Sequence, residues 1–153
     1  MRKTIIIGLG NPLRADDAVG LRVARLLKER LADRADVDVV EAYVGGMSLV
    51  ETAIGYDRAI VIDAMLKTAG PPGTIVAFTP SSGMCSRNSG SLHDASFCDA
   101  LSACSALGES VPKDVLCWGI VPKDVEHFSE SLTEEIAAAV PVVAGQILAK
   151  LDA

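Results

Sequence analysis

The chain has 153 residues, half of them hydrophobic, which is enough for one domain with a well-buried core. Its 20 acidic residues outnumber its 14 basic residues, and the formal net charge of −6 argues against binding to nucleic acid or to anionic membranes. We therefore expect a single domain over residues 1–153, with no nucleic-acid partner and no membrane insertion.

The first half of the chain predicts strands that alternate with helices. Thr4–Leu9 is a short, largely β-branched run closed by glycine, which is typical of a buried strand. Apolar residues then recur at helical spacing over residues 19–31, and Asp16 or Asp17 is placed to cap that helix. A second strand, a short helix and a third strand follow at residues 37–40, 48–54 and 58–62. Strands separated by helices pair in parallel through right-handed crossovers.

The second half predicts one antiparallel strand and two more helices. The connection at residues 70–73 is too short for a crossover, so residues 73–79 should run antiparallel. A Ser- and Gly-rich loop (80–91), a helix (about 92–107), a strand (115–121) and a helix opened by a capping box at Ser131 and Glu134 complete the chain. The expected fold is an α/β three-layer sandwich, with helices on both faces of a mixed, mostly parallel five-stranded sheet.

Acidic and imidazole side chains should meet at one edge of this sheet. Asp16 and Asp17 follow the first strand, Asp63 ends the third, and His93 lies in the first turn of a helix that begins at the same edge. Two carboxylates and an imidazole suit a divalent ion such as zinc or nickel, with positions open for a substrate. Spacing alone favours a plainer interpretation, in which the aspartates cap helices and the histidine lies on the surface.

Other sequence features bear on the compartment and on the type of catalysis. The apolar run at the amino terminus stops at Gly10 and charges follow, which does not fit a secretory signal. The chain has four cysteines, Cys85, Cys98, Cys104 and Cys117, and none of them forms a CxxC motif. They are expected to be reduced and mostly packed, and zinc binding is the less favoured alternative. There is no GxSxG elbow, which argues against a serine nucleophile. We expect a soluble, cytoplasmic monomer.

An ordered series of motifs resembles the hydrogenase maturation proteases, the endopeptidases that trim the large subunit of nickel–iron hydrogenases. The motifs are GLGNPLRADDAVG at 8–20, IVIDA at 60–64, SLHD at 91–94 and GIVP at 119–122, and the likeness covers nearly the whole chain. The family's metal-binding trio maps onto Asp17, Asp63 and His93. Asp17 stands where some members have Glu, which shortens its reach by one methylene.

The resemblance implies removal of a carboxyl-terminal extension from a hydrogenase large-subunit precursor after nickel insertion. Asp17, Asp63 and His93 would be both metal ligands and catalytic residues. The nickel would be supplied by the precursor, and other divalent ions could occupy the site in vitro. Two schemes stay open: the metal polarises the scissile carbonyl or activates water, or the carboxylates act as general base while the metal positions the substrate.

Three alternative functions share features with this sequence. Peptidyl-tRNA hydrolases also begin with GLGNP, but residues 13–17 contain no catalytic His, and the acidic charge disfavours tRNA. Dinucleotide binding lacks its third glycine, because position 13 is leucine. A non-catalytic metal-binding maturation chaperone would keep the same trio, and only an activity assay would separate it from a peptidase.

Overall fold

Five strands form one mixed sheet in the computed structural model, which describes residues 2–43, 45–80, 86–88 and 97–153. The strands are β1 (Thr4–Leu9), β2 (Val37–Ala42), β3 (Arg58–Ala64), β4 (Ile75–Phe78) and β5 (Asp114–Ile120). Their order across the sheet is β2-β1-β3-β5-β4. All neighbouring pairs are parallel except β4 and β5, which are antiparallel. The predicted mixed, mostly parallel five-stranded sheet is confirmed.

Helices cover both faces of the sheet, as predicted. They are α1 (Val19–Arg30), α2 (Met47–Ala53), α3 (Phe97–Ala106) and α4 (Glu134–Leu151). α1 and α4 contact each other on one face, while α2 and α3 contact each other and pack into the core of the other face. The predicted start of α3 near residue 92 lies outside the described residues. Within the described ranges, no helix combines the length and apolar character needed to cross a membrane.

The two central strands explain why the sheet forms in this order. Every residue of β1 and β3 is buried, which is expected of parallel strands covered on both faces. Alternate side chains point to opposite faces, so Ile6 packs with α1 and α4, whereas Ile5 and Ile7 pack with α2 and α3. A continuous hydrophobic run can therefore fill two cores at once.

Two glycines bring α1 against the sheet next to the carboxyl end of β1. A Cβ atom on Gly20 would lie 2.2 Å from the carbonyl oxygen of Ile62 and 2.6 Å from that of Leu9. A Cβ atom on Gly8 would lie 2.4 Å from the carbonyl oxygen of Gly20. Only a residue without a Cβ permits this contact. The close approach fixes the turn between β1 and α1, which carries Asp17.

The predicted helix caps are wrong at both ends of the chain. Asp16 and Asp17 lie in a short 3-10 helix (Ala15–Ala18), and the residue that caps α1 is Ala18, without a side-chain hydrogen bond. α4 begins after Thr133, also without a side-chain cap, so the predicted capping box does not form. The physical reason at α1 is that both aspartates accept hydrogen bonds from other parts of the fold, and at α4 the hydroxyl of Thr133 donates to Asp16.

Candidate functional site

Two carboxylates are buried at the carboxyl edge of the sheet. Asp17 lies in the 3-10 helix that follows β1, and Asp63 is the second-last residue of β3, the strand paired directly with β1. They are 2% and 1% exposed, respectively. Burying a carboxylate is costly unless hydrogen bonds or charges compensate it, so their partners define what this site can do.

Both oxygens of Asp63 accept hydrogen bonds. Oδ1 accepts from the backbone N–H of Ala64 and from Nδ2 of Asn88, each at 2.8 Å. Oδ2 accepts from the hydroxyl of Ser86 at 2.8 Å and from the backbone N–H of Asn88 at 2.6 Å. Residues 86–88 thus wrap around this carboxylate, and the backbone N–H of Arg87 donates to the carbonyl of Ala64 at 2.8 Å.

Asp17 is bound by the same segment. Its Oδ1 accepts from Nε of Arg87 and from Nδ2 of Asn88, each at 2.8 Å, and its Oδ2 accepts from the backbone N–H of Asn11 at 3.0 Å. The Asn88 amide nitrogen therefore donates to Asp17 and Asp63 at once. The predicted convergence of these two aspartates at one sheet edge is what the geometry shows.

Burial dominates the electrostatics of Asp63. Loss of solvation raises the pKa of Asp63 to about 7, and the nearby charge of Asp17 adds to the rise. Hydrogen bonds from Asn88 and Ser86 act in the opposite direction, because they favour the charged form. The site is thus a strongly desolvated pair of carboxylates, and among the described residues the cationic side chain that forms an ion pair with it is Arg87.

Asp16 does not belong to this pair, although it is adjacent to Asp17 and fully buried. Its carboxylate accepts hydrogen bonds from the backbone N–H groups of Lys123, Asp124 and Thr133, at 2.8 to 3.0 Å. The hydroxyl of Thr133 adds a further bond at 2.8 Å. Asp16 therefore ties the opening turn to the segment between β5 and α4, which is a structural function.

The two described carboxylates, those of Asp17 and Asp63, are suitable ligands for a divalent ion. One oxygen each from Asp17 and Asp63 faces a common point, now taken by the amide of Asn88. His93, the third predicted ligand, lies outside the described residues. Within the described ranges, no three His, Cys, Asp or Glu side chains are grouped closely enough to hold a metal. The site of Asp17, Asp63 and His93 stays a prediction as a metal centre.

The remaining candidate groups do not belong to the hydrogen-bond network of the two carboxylates, although Cys117 is close enough to Asp63 to feel its charge. The side chain of His127 is 83% exposed and its Nδ1 lies 2.7 Å from Asp124, so it is a surface residue. Cys104 and Cys117 are buried free thiols, whereas Cys98 is exposed. Cys85 lies outside the described residues.

Sequence reasoning missed Arg87 and Asn88. They are in the Ser- and Gly-rich segment 80–91, where no hydrophobic periodicity indicates which side chains point inward. The one available signal was compositional: this adjacent pair supplies the only cationic and the only carboxamide side chain within that segment. Such a pair is a candidate partner for buried carboxylates.

Comparisons with known proteins agree with this architecture. Residues 21–150 match the family model HycI, hydrogenase maturation protease. The chain is 28% identical over 151 residues to the Hydrogenase 2 maturation protease of Escherichia coli (strain K12), covering 97% of this chain and 90% of that one. It is 33% identical over 136 residues to the hydrogenase expression/formation protein HoxM of Azotobacter vinelandii, covering 88% of this chain and 65% of the relative.

Solved structures give the same result. The hydrogenase maturating endopeptidase HybD from E. coli aligns with a TM-score of 0.77 and 28% identity, over 99% of this chain and 93% of that one. The [NiFe] hydrogenase maturation protease HybD from Thermococcus kodakarensis aligns with a TM-score of 0.67 and 27% identity, over 99% of both chains. The family model alone spans most of the sequence. This chain belongs to the hydrogenase maturation protease family.

Proposed function

We propose that this protein is the endopeptidase that removes the carboxyl-terminal extension of a nickel–iron hydrogenase large-subunit precursor after nickel insertion. The observation that carries the proposal is the convergence of two buried carboxylates, Asp17 and Asp63, on one point at the carboxyl edge of the sheet. Family membership supports the peptidase class, and HybD of E. coli is itself described as a hydrogenase maturating endopeptidase.

In this proposal Asp17, Asp63 and His93 bind nickel that the precursor brings, so the ion is part of the substrate. Carboxylate and imidazole groups are suitable ligands for such an ion. Cleavage then follows one of two schemes. Either the nickel polarises the scissile carbonyl or activates a water molecule, or a carboxylate of the site accepts a proton from the attacking water while the nickel positions the peptide.

The proposed setting is the cytoplasm, with the protein acting as a monomer on one precursor molecule at a time. The acidic net charge of −6 fits a protein substrate better than a nucleic acid. A non-catalytic metal-binding chaperone would use the same residues, but it would bind one precursor without releasing a trimmed product. Multiple turnover at substoichiometric protein therefore distinguishes the two.

The test uses matched nickel-loaded and nickel-free precursor with the metal-stripped protein, and mass spectrometry of the products. We expect a single cut near the carboxyl end of the nickel-loaded precursor and no cut in the nickel-free form. His127→Ala is the control, because His127 is exposed and its side chain pairs with Asp124 and not with either carboxylate of the site. Efficient cutting of the nickel-free form would overturn nickel recognition and leave the peptidase; no cutting of either form would overturn the peptidase.

A further inference from the structure

The position between Asp17 and Asp63 is occupied by the protein's own side chain. Nδ2 of Asn88 lies 2.8 Å from Oδ1 of each carboxylate. A bound transition-metal ion sits about 2.0–2.2 Å from carboxylate oxygens, so an ion bridging the same two atoms from the side of the amide would overlap it. The Asn88 amide and a bridging ion therefore exclude each other.

Arg87 reinforces this arrangement through its charge. Its guanidinium donates to Oδ1 of Asp17 at 2.8 Å, and its side chain is 29% exposed, against 3% for that of Asp17. A nearby cation stabilises a buried carboxylate, and either Arg87 or a divalent ion can provide that charge for Asp17. Because the Arg87 side chain already reaches solvent, it can move away when an ion takes over its function.

Every oxygen of the two carboxylates is engaged by protein donors in this state. Asp17 accepts from Asn11, Arg87 and Asn88, and Asp63 accepts from Ala64, Ser86 and Asn88. The donors from Asn11 and Ala64 are backbone N–H groups fixed by the fold. The side-chain donors, from Ser86, Arg87 and Asn88, can change rotamer without unfolding the sheet edge, and those of Arg87 and Asn88 are the ones that bind Asp17.

We infer that Arg87 and Asn88 are a specificity-determining pair at the carboxylate site. They prevent free divalent ions from binding there, and they are displaced by an ion that arrives with the docked precursor. This inference rests on the proposed function. When the competent state is only a fraction of the population, the apparent dissociation constant rises by the inverse of that fraction. For a free ion, the apparent dissociation constant rises by this whole factor.

Nickel carried by a docked precursor competes under different conditions. Once the precursor is bound, its nickel faces the carboxylates at an effective concentration in the millimolar range or above, as for any tethered ligand. Such an ion can displace the Asn88 amide although a dilute free ion cannot. The pair thus converts a generic carboxylate site into one that responds mainly to a metal presented by a substrate.

Isothermal titration with Ni²⁺ of the metal-stripped protein tests this inference. Asn88→Ala removes the bridging amide and Arg87→Gln removes the competing charge, so each variant should bind Ni²⁺ about tenfold more tightly than the unaltered protein. Arg2→Gln is the matched control: Arg2 is an exposed arginine paired with Asp114, at the start of β5 and the opposite edge of the sheet. Its Ni²⁺ affinity should be unchanged.

The contrary outcomes are distinct. Weaker Ni²⁺ binding by Asn88→Ala would show that the amide turns its oxygen to the ion as a ligand, which overturns the inference. An affinity in both variants equal to that of the unaltered protein overturns it as well. Thermal melting identifies a misfolded variant, and Arg87→Gln keeps the test valid in that case. If neither variant gains affinity while the unaltered protein trims nickel-loaded precursor, the inference fails alone. If both gain affinity and no protein trims precursor, the proposed function fails alone.

Discussion

Asp16 and Asp17 are adjacent in the sequence, but their carboxylates belong to two different hydrogen-bond networks. Asp16 is held by donors from Lys123, Asp124 and Thr133, between β5 and the start of α4. Asp17 is held by Arg87 and Asn88, next to Asp63. One aspartate therefore stabilises the fold, whereas the other is available to the site.

Asp17→Asn should abolish precursor trimming with little change in melting temperature. The amide oxygen can keep the bond from the backbone N–H of Asn11, while Arg87, which is 29% exposed, can turn to solvent and make room for the new NH2 group. The variant side chain at position 17 lacks the negative charge that favours binding of a divalent ion. Trimming is followed by mass spectrometry, and melting by circular dichroism. Trimming at the unaltered rate would remove Asp17 from the site.

Asp16→Ala should lower the free energy of unfolding by about 3 kcal/mol, because it leaves several buried donors without an acceptor. Loss of a helix cap, the function predicted from the sequence, would cost only about 1 kcal/mol. Urea unfolding monitored by circular dichroism separates the two values. A loss near the smaller value would contradict the structural function assigned to Asp16.

The difference between the two aspartates shows where sequence reasoning succeeds and fails. Hydrophobic runs such as Thr4–Leu9 identify the strands, and the order of strands and helices then determines the parallel sheet and the edge to which Asp17 and Asp63 belong. The partner of Asp16 was not predictable, because Thr133 lies 117 residues away and is brought near only by the packing of α4.

Arg87 and Asn88 escaped prediction for a related reason. Their segment has no periodic pattern, and their function depends on two carboxylates that are distant in the sequence. Asp17 lies 70 residues before Arg87, and Asp63 lies 25 residues before Asn88. Local pattern predicts elements and their order, while the pairing of polar side chains depends on the completed tertiary structure. His93 lies outside the described residues, so its assignment still rests on the sequence motif.

Gly20→Ala should destabilise the protein by about 3 kcal/mol, at the upper end of the cost of overpacking. The new methyl group would lie 2.2 Å from the carbonyl oxygen of Ile62, in a contact between α1 and the sheet that cannot relax without separating them. Gly145→Ala is the matched control within α4, where a Cβ meets nothing within 4 Å. It should stabilise the helix by about 0.5–1 kcal/mol. Similar melting temperatures for both variants would contradict the close contact.

The thiols should differ in reactivity according to their burial. Desolvation raises the pKa of Cys117 to about 12, with a further contribution from the charge of Asp63, so its reactive thiolate is scarce at pH 8. Cys98 is exposed and should be alkylated rapidly by iodoacetamide under the same conditions. Peptide mapping after short labelling measures each cysteine separately. Alkylation of Cys117 as fast as that of Cys98, in folded protein, would contradict the buried environment.

Removal of metal by dialysis against a chelator should leave the protein folded, with its melting temperature unchanged. Both hydrophobic cores are built from side chains alone, and all four oxygens of Asp17 and Asp63 have protein donors without an ion. This differs from a structural zinc domain, whose folding depends on its ion. Differential scanning calorimetry with and without chelator measures the effect. A fall of about 5 °C, which corresponds to roughly 1–2 kcal/mol for a domain of this size, would show that a metal contributes to stability. Added Ni²⁺ should raise the melting temperature more in Asn88→Ala than in the unaltered protein, because a ligand stabilises the folded state in proportion to the logarithm of its affinity.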